Sequence, residues 1–216
     1  ITQRYGGIAL VGSGSATPSQ RITNDQLSLR VDTNDSWIHS RTGISERRVS
    51  GCEENLSELS YKAAVLAIQM AGWDPQSIDL VLLATSTPDD LFGSAPKVQA
   101  KIGAKGAVAF DLTAACSGFL FALISAAQYL KSGCMRRAVV IGADQLSRWV
   151  DWDDRRSCVL FGDGAGAVAL EATSLETDGL IGFKLKSDGE RGDCLNLNQI
   201  KEFSPVIDGI SHQKGG

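Results

Sequence analysis

In the stretch Asp111-Leu-Thr-Ala-Ala-Cys116-Ser-Gly-Phe119, a cysteine follows a strand-like run and immediately precedes a long apolar helical stretch, with Ser117 as a candidate cap. The sulfur is thereby placed near a helix N-terminus, where unpaired N–H groups and the macrodipole favour thiolate over thiol. The small neighbours Ala114, Ala115 and Gly118 leave room for an acyl group, and the same N–H groups are candidate oxyanion donors. The segment reads equally well as a buried structural cysteine, because free cysteines are common core residues. The other four, Cys52, Cys134, Cys158 and Cys194, sit in loops, after a helix end or at a strand start, and read as structural. With an odd number and no C-x-x-C pair, reduced thiols are expected rather than a disulfide framework.

Trp37, with Arg41 one helical turn later, makes an aromatic and cationic platform suited to a flat anionic ligand such as a nucleotide. The loop Asp151-Trp-Asp-Asp-Arg-Arg156 adds two arginines. A solvated salt network accounts for the same residues and, on residue types alone, is the favoured reading. Phe161-Gly-Asp-Gly-Ala-Gly-Ala167 is glycine-rich but fits neither G-x-G-x-x-G at a helix start nor a loop ending in Gly-Lys-Ser/Thr. Its small residues are expected to permit close backbone packing at a turn. Gly12-Ser-Gly-Ser-Ala16 likewise misses the G-x-S-x-G nucleophile elbow.

These residues must be held by a sizeable core. The 216 residues are 43% apolar and 21% charged, which excludes compositional disorder. The net charge of −4 argues against a nucleic-acid partner. Two histidines far apart, His39 and His212, make a histidine-rich metal site unexpected. The opening residues read as the start of a folded segment, so no signal peptide is expected. The apolar run 118–130 is too short to span a bilayer. A soluble, cytoplasmic protein is the expectation.

The pattern alternates strands and helices. Residues 8–11 read as a short strand broken by the turn-rich stretch 12–18. Asn55 or Ser57 caps a helix to about Ala71, with Leu59, Ala63, Leu66 and Met70 on its inner face and Gly72 ending it. The continuous apolar run 78–84 predicts a strand buried on both faces. A helix follows over 95–102, a strand over 107–110, and a second long helix over 117–130 with Phe119, Leu120, Leu123, Ala127 and Leu130 on one side. Further strands are expected at 137–142, 166–170 and 180–185. Strands separated by helices of this length predict an α/β fold with parallel pairs covered by helices. From Lys186 the texture becomes loop-rich, and the chain is expected to stop within a connection. No repeat is visible at a period of about 20 to 50 residues.

Four motifs in order and register carry a resemblance. Asn34-Asp-Ser-Trp-Ile-His-Ser-Arg-Thr-Gly-Ile44, Thr113-Ala-Ala-Cys-Ser-Gly-Phe119, Phe161-Gly-Asp-Gly-Ala-Gly-Ala167 and Ser187-Asp-Gly189 are similar to those of β-ketoacyl-[acyl carrier protein] synthase III. The resemblance runs over about residues 8–197, and the Trp/Arg segment separates this family from thiolases and elongating synthases. It implies a thiolase-like fold of α-β-α-β-α layers built from two similar halves. Residues 1–180 would be the N-terminal half with its nucleophile, and 181–216 the start of the connection to an absent C-terminal half.

The activity implied is condensation of acetyl-CoA with malonyl-acyl carrier protein through an acyl-Cys116 intermediate, without a cofactor or metal. By motif match, Trp37 and Arg155 sandwich the CoA adenine, Arg41 lies near its phosphates, and Thr33 and Thr42 are neighbours. Leu146, Phe161 and Leu195 match acyl-pocket positions. Phe92 matches a residue that closes the partner subunit's pocket, which implies a homodimer. Arg156 stands where the family often has a small residue.

The family's oxyanion-stabilising histidine and asparagine lie in its second half and are not found here. His212 comes too early, and no asparagine follows it. This chain alone is therefore expected to lack condensing activity and to leave an apolar layer uncovered. Two alternatives stay open. One is a related thiolase-fold acyltransferase, such as a polyketide starter or long-chain condensing enzyme. The other is a non-catalytic half-synthase partner.

Overall fold

A computed structural model describes residues 6–194. The elements in chain order are β1 (Gly7–Ala16), β2 (Gln20–Thr23), α1 (Asn24–Ser28), α2 (Asp35–Thr42), β3 (Glu46–Val49), α3 (Leu56–Ala71), β4 (Leu80–Ala84), α4 (Ala95–Ile102), β5 (Val108–Leu112), α5 (Gly118–Lys131), β6 (Arg137–Gln145) and β7 (Asp163–Thr173). The chain divides into two units between Phe183 and Lys184, and the elements above belong to the first.

β4 has no polar side chain and every residue is buried, as a strand with neighbours on both edges and helices on both faces requires. It sits between β6 and β5, parallel to both, in a five-stranded sheet of order β1-β7-β6-β4-β5. β7 runs antiparallel to β6 and to β1, so the sheet is mixed. Alternation along β4 sorts its side chains between two cores. Val81 and Leu83 face a cluster with Leu59, Ala63 and Val98 from α3 and α4. Leu80, Leu82 and Ala84 face Ala122, Ala126 and Leu130 of α5.

α3 starts where Asn55 Oδ1 accepts the Glu58 N–H at 2.8 Å, and it ends at Gly72 in the left-handed conformation (φ 66°). Asp89 reinforces the start by accepting the N–H groups of Leu56 (2.9 Å) and Ser57 (2.8 Å). Leu59 and Ala63 are buried as expected, whereas Leu66 and Met70 are exposed. α3 packs against β1 at the sheet margin, so the outer part of its apolar stripe runs past the edge.

β1 is longer than expected. It continues through Gly12 and Gly14 to Ala16, with a register shift between Leu10 and Gly12. A Cβ on Gly12 would lie 2.2 Å from the Ala67 carbonyl oxygen, and one on Gly14 would lie 2.3 Å from that of Ala63. These glycines admit the helix backbone; they do not mark a turn.

The glycine-rich run 163–167 is likewise strand, the start of β7. On α5 the buried stripe is Ala122, Ala126, Ala127 and Leu130, while Leu120 points outward. Small residues let the helix lie close to the sheet. Residues 180–185 form no strand and pair with none of the described strands.

Candidate active site

β5 delivers the chain to Ala114, and Ala115–Ser117 form a single tight turn before α5 begins at Gly118. Ala115 has φ 46°, the one left-handed non-glycine among the described residues. Strain of that kind persists where surrounding structure over-determines the backbone, and it collects at functional sites. Here it turns Cys116 outward, and the thiol is exposed.

Ser117 is the cap residue of α5 but its side chain makes no capping bond. Its N–H donates to Ala114 O at 3.1 Å, and the Gly118 N–H donates to Ala115 O. Those two amides are thus engaged within the turn. Asp111, at the end of β5, accepts Ser94 N–H (2.8 Å) and Ala95 N–H (2.6 Å) and so anchors the start of α4.

A cleft of about 460 Å³ opens in front of Cys116, lined by Gly14, Ala84, Phe119, Gly142, Asp144 and Gly166 among others. Gly142 and Gly166 are register partners on β6 and β7, so the floor carries no side chains at that level. Asp144 Oδ1 accepts the Ser86 N–H (2.8 Å) and the hydroxyls of Thr85 (3.2 Å) and Thr87 (3.1 Å). The sequence did not point to Asp144 or Gly142, and it marked Ala115 as a small neighbour of Cys116 without its left-handed backbone. Their alternation with apolar neighbours was the available signal, but it becomes a cleft only when two strands pair.

The second site is built on α2. Asn34 Oδ1 accepts the Trp37 N–H at 2.8 Å, and Gly43 (φ 72°) closes the helix. Trp37 rests on a small core of Leu27, Val31, Ile38, Cys158 and Val159. The guanidinium of Arg41 lies 5.1 Å from the Trp37 ring centre and that of Arg155 lies 4.7 Å from it, both in cation–π range. Arg155 also pairs with Asp32 (3.6 Å). The two threonines differ: Thr42 Oγ1 donates to Ile38 O (2.7 Å) and accepts from Ile44 N–H (3.0 Å), whereas Thr33 Oγ1 is buried without a partner. Arg156 is held by Asp154 through Nε and Nη2 at 2.9–3.2 Å. That pairing raises the arginine pKa and lowers the aspartate's.

Leu146 and Phe161 are half-buried just beyond β6 and just before β7, and neither lines the Cys116 cleft. Phe92 is 92% exposed on the loop between β4 and α4. Leu195 and His212 lie outside the described residues. Among the described residues no cluster of histidine, cysteine or acidic side chains is arranged to hold a metal ion. No helix among them is long and apolar enough to cross a membrane.

The family described as 3-oxoacyl-[acyl-carrier-protein (ACP)] synthase III matches residues 110–189. The chain is 73% identical to the beta-ketoacyl-[acyl-carrier-protein] synthase III of Prochlorococcus marinus (strain MIT 9313), over 97% of this chain and 62% of that protein. Among solved structures it is similar to 3-oxoacyl-(acyl carrier protein) synthase III from Pseudomonas aeruginosa PAO1, with TM-score 0.86 and 38% identity over 96% of this chain and 66% of that one. It is also similar to the priming beta-ketosynthase from the R1128 polyketide biosynthetic pathway, with TM-score 0.77 and 33% identity over 81% of this chain and 52% of that one. The chain therefore spans less than two thirds of the length of these relatives. With agreement in sequence over nearly the whole chain and in fold around Cys116, the chain belongs to the β-ketoacyl-[acyl carrier protein] synthase III family.

Proposed function

We propose that this chain carries the nucleophile and the CoA-binding platform of a 3-oxoacyl-[acyl carrier protein] synthase III that initiates fatty-acid synthesis. The observation that carries the reading is Cys116, exposed on a strained turn between β5 and α5 at a cleft floored by glycine. The Cys116 thiolate attacks the acetyl-CoA carbonyl, a C–S bond forms, and CoA leaves as its thiolate. Malonyl-acyl carrier protein then loses CO₂, and the resulting carbanion attacks the acetyl-Cys116 carbonyl, giving acetoacetyl-acyl carrier protein and the free thiolate. Covalent capture divides one difficult condensation into two easier steps. With the Ser117 and Gly118 amides engaged, the Cys116 N–H is the amide of this turn assigned to the oxyanion.

Trp37, Arg41 and Arg155 take the adenosine phosphate end of CoA, and Thr33 contributes a hydroxyl. Arg155 and the ring are in contact at 4.7 Å. An intervening adenine requires two stacking distances, so the arginine swings outward on binding. The oxyanion histidine and asparagine come from the C-terminal portion that the relatives possess. Condensation is accordingly assigned to the longer protein, a cytoplasmic homodimer without a cofactor, with acyl carrier protein as partner and the exposed Phe92 closing the acyl pocket of the partner subunit. Likeness to the polyketide priming synthase supports a second reading, a polyketide starter condensing enzyme, for which longer acyl primers are proposed.

Intact-mass spectrometry after incubation with acetyl-CoA tests the assignment. A single acetyl adduct, absent in Cys116→Ser, is expected. An adduct that persists in the variant overturns the role of Cys116, and labelling only by longer acyl-CoAs favours the second reading.

A further inference from the structure

Arg47 lies on β3 and is 5% exposed. Its guanidinium donates to three neutral oxygens on two separate segments: Nη1 to Ile22 O of β2 (3.1 Å) and Nη2 to Asn24 Oδ1 of the adjoining α1 (2.6 Å), and Nη2 to the distant Val159 O (3.5 Å). Burial lowers its pKa from the ordinary arginine value. A buried cation that meets only neutral acceptors, with its Nε left without a partner among the described residues, is a costly device, and apolar packing would serve a purely structural joint at least as well.

What the bonds connect gives the arginine a purpose. Asn24, itself buried, passes its Nδ2 to Asp35 Oδ1 (2.8 Å) and Ile44 O (2.7 Å). Asp35 opens α2 and Ile44 follows its cap at Gly43, so one amide grips both ends of the helix that presents Trp37 and Arg41. On the other side, Val159 belongs to the turn in which Ser157 and Cys158 N–H groups donate to Asp154 O, the turn that carries Arg155. Both faces of the tryptophan clamp are thus joined to one guanidinium.

We propose that Arg47 is a positioning residue that sets the separation of Trp37 and Arg155, and through it the enzyme's preference for a donor bearing the adenosine phosphate group. The proposal rests on the CoA reading above. A planar fork reaches the three acceptors at fixed angles, which neither a lysine nor an apolar side chain reproduces.

The test compares acylation by acetyl-CoA with acylation by acetyl-pantetheine, which has the same thioester without adenosine and its phosphates, in the full-length protein. Arg47→Met is expected to lower the efficiency ratio between the two donors about tenfold, by raising KM for acetyl-CoA alone. Asp35→Ala, which removes the Asn24 acceptor at an exposed position, is expected to lower it about threefold. A loss shared equally by both donors marks Arg47 as merely structural and overturns the proposal. An unchanged ratio in Asp35→Ala overturns it too, even if Arg47→Met fails to fold. Trp37→Ala separates the two layers of the argument. If it leaves the ratio unchanged, the CoA reading itself falls and takes the proposal with it. If it lowers the ratio while the other variants do not, only the positioning role of Arg47 is lost.

Discussion

Around Cys116 the positioning comes mainly from backbone and apolar packing, namely parallel strands, glycines that admit a neighbouring helix and one alanine held at φ 46°, with Asp111 and Asp144 tying loop amides to the strand ends. Around Trp37 it comes from polar side chains, with Asn34, Asn24, Asp35 and Arg47 linking short elements over a small core. A packed sheet changes in discrete steps and resists small displacement. Side-chain hydrogen bonds between short helices yield more readily. The arrangement suits the proposed roles, a nucleophile whose place must not vary and a clamp that has to part for its ligand.

Four substitutions break or sharpen that contrast. Cys116→Ser removes the proposed nucleophile and is expected to cut acylation by on the order of 10³-fold or more, measured by the rate of acetyl adduct formation, with the fold intact by circular dichroism. Gly14→Ala attacks the packing behind the same cleft. Its Cβ would sit 2.3 Å from the Ala63 carbonyl oxygen, a backbone atom that cannot give way, so a loss of about 1–3 kcal/mol in urea unfolding is expected.

Trp37→Ala belongs to the other region and is expected to weaken acetyl-CoA binding about tenfold, or ~1.4 kcal/mol, measured by calorimetric titration. A large stability loss in this variant would erase the distinction between the two regions.

Asp178→Asn has the smallest effect and lies outside both sites. Asp178 accepts Lys131 Nζ (2.6 Å) and the N–H groups of Ile8 and Leu180 (3.0 Å each). Those contacts hold its pKa below the ordinary aspartate value, the lysine bond contributing most. A lowered folded pKa contributes stability that is complete above the unfolded value of about 3.9 and is lost as pH falls through the folded one. The stability difference between the native chain and Asp178→Asn is therefore expected at pH 7 and should shrink below about pH 4, in urea titrations at both values. A difference independent of pH would assign it to something other than charge.

Local signals made much of the scaffold legible. Asn55 and Gly72 mark the ends of α3, and the unbroken apolar run marks β4 as a strand buried on both faces. The cysteine was placed at a strand–helix junction, and there the chain puts it. The errors share a cause. Gly12, Gly14 and the run 163–167 have the composition of turns, yet they are strand because a helix and a paired strand approach them closely. Residues 180–185 have the composition of a strand, but no partner among the described residues pairs with them. Leu120 lies outside the buried stripe of α5, because alanines set the closest approach to the sheet.

Residue types and short spacings thus determined the helices, the buried strand β4, the place of Cys116 at a strand–helix junction and the Trp37–Arg41 pair, because caps, periodicity and one-turn neighbours act within a few residues. Only the tertiary structure decided that Arg155 faces Trp37, that Ala115 adopts a left-handed backbone, that two strands set glycine beside glycine to open a cleft, and that one buried arginine joins both faces of the clamp. Each of these joins segments distant along the chain. Their energies arise from burial and hydrogen bonding that exist only once the sheet has brought those segments together.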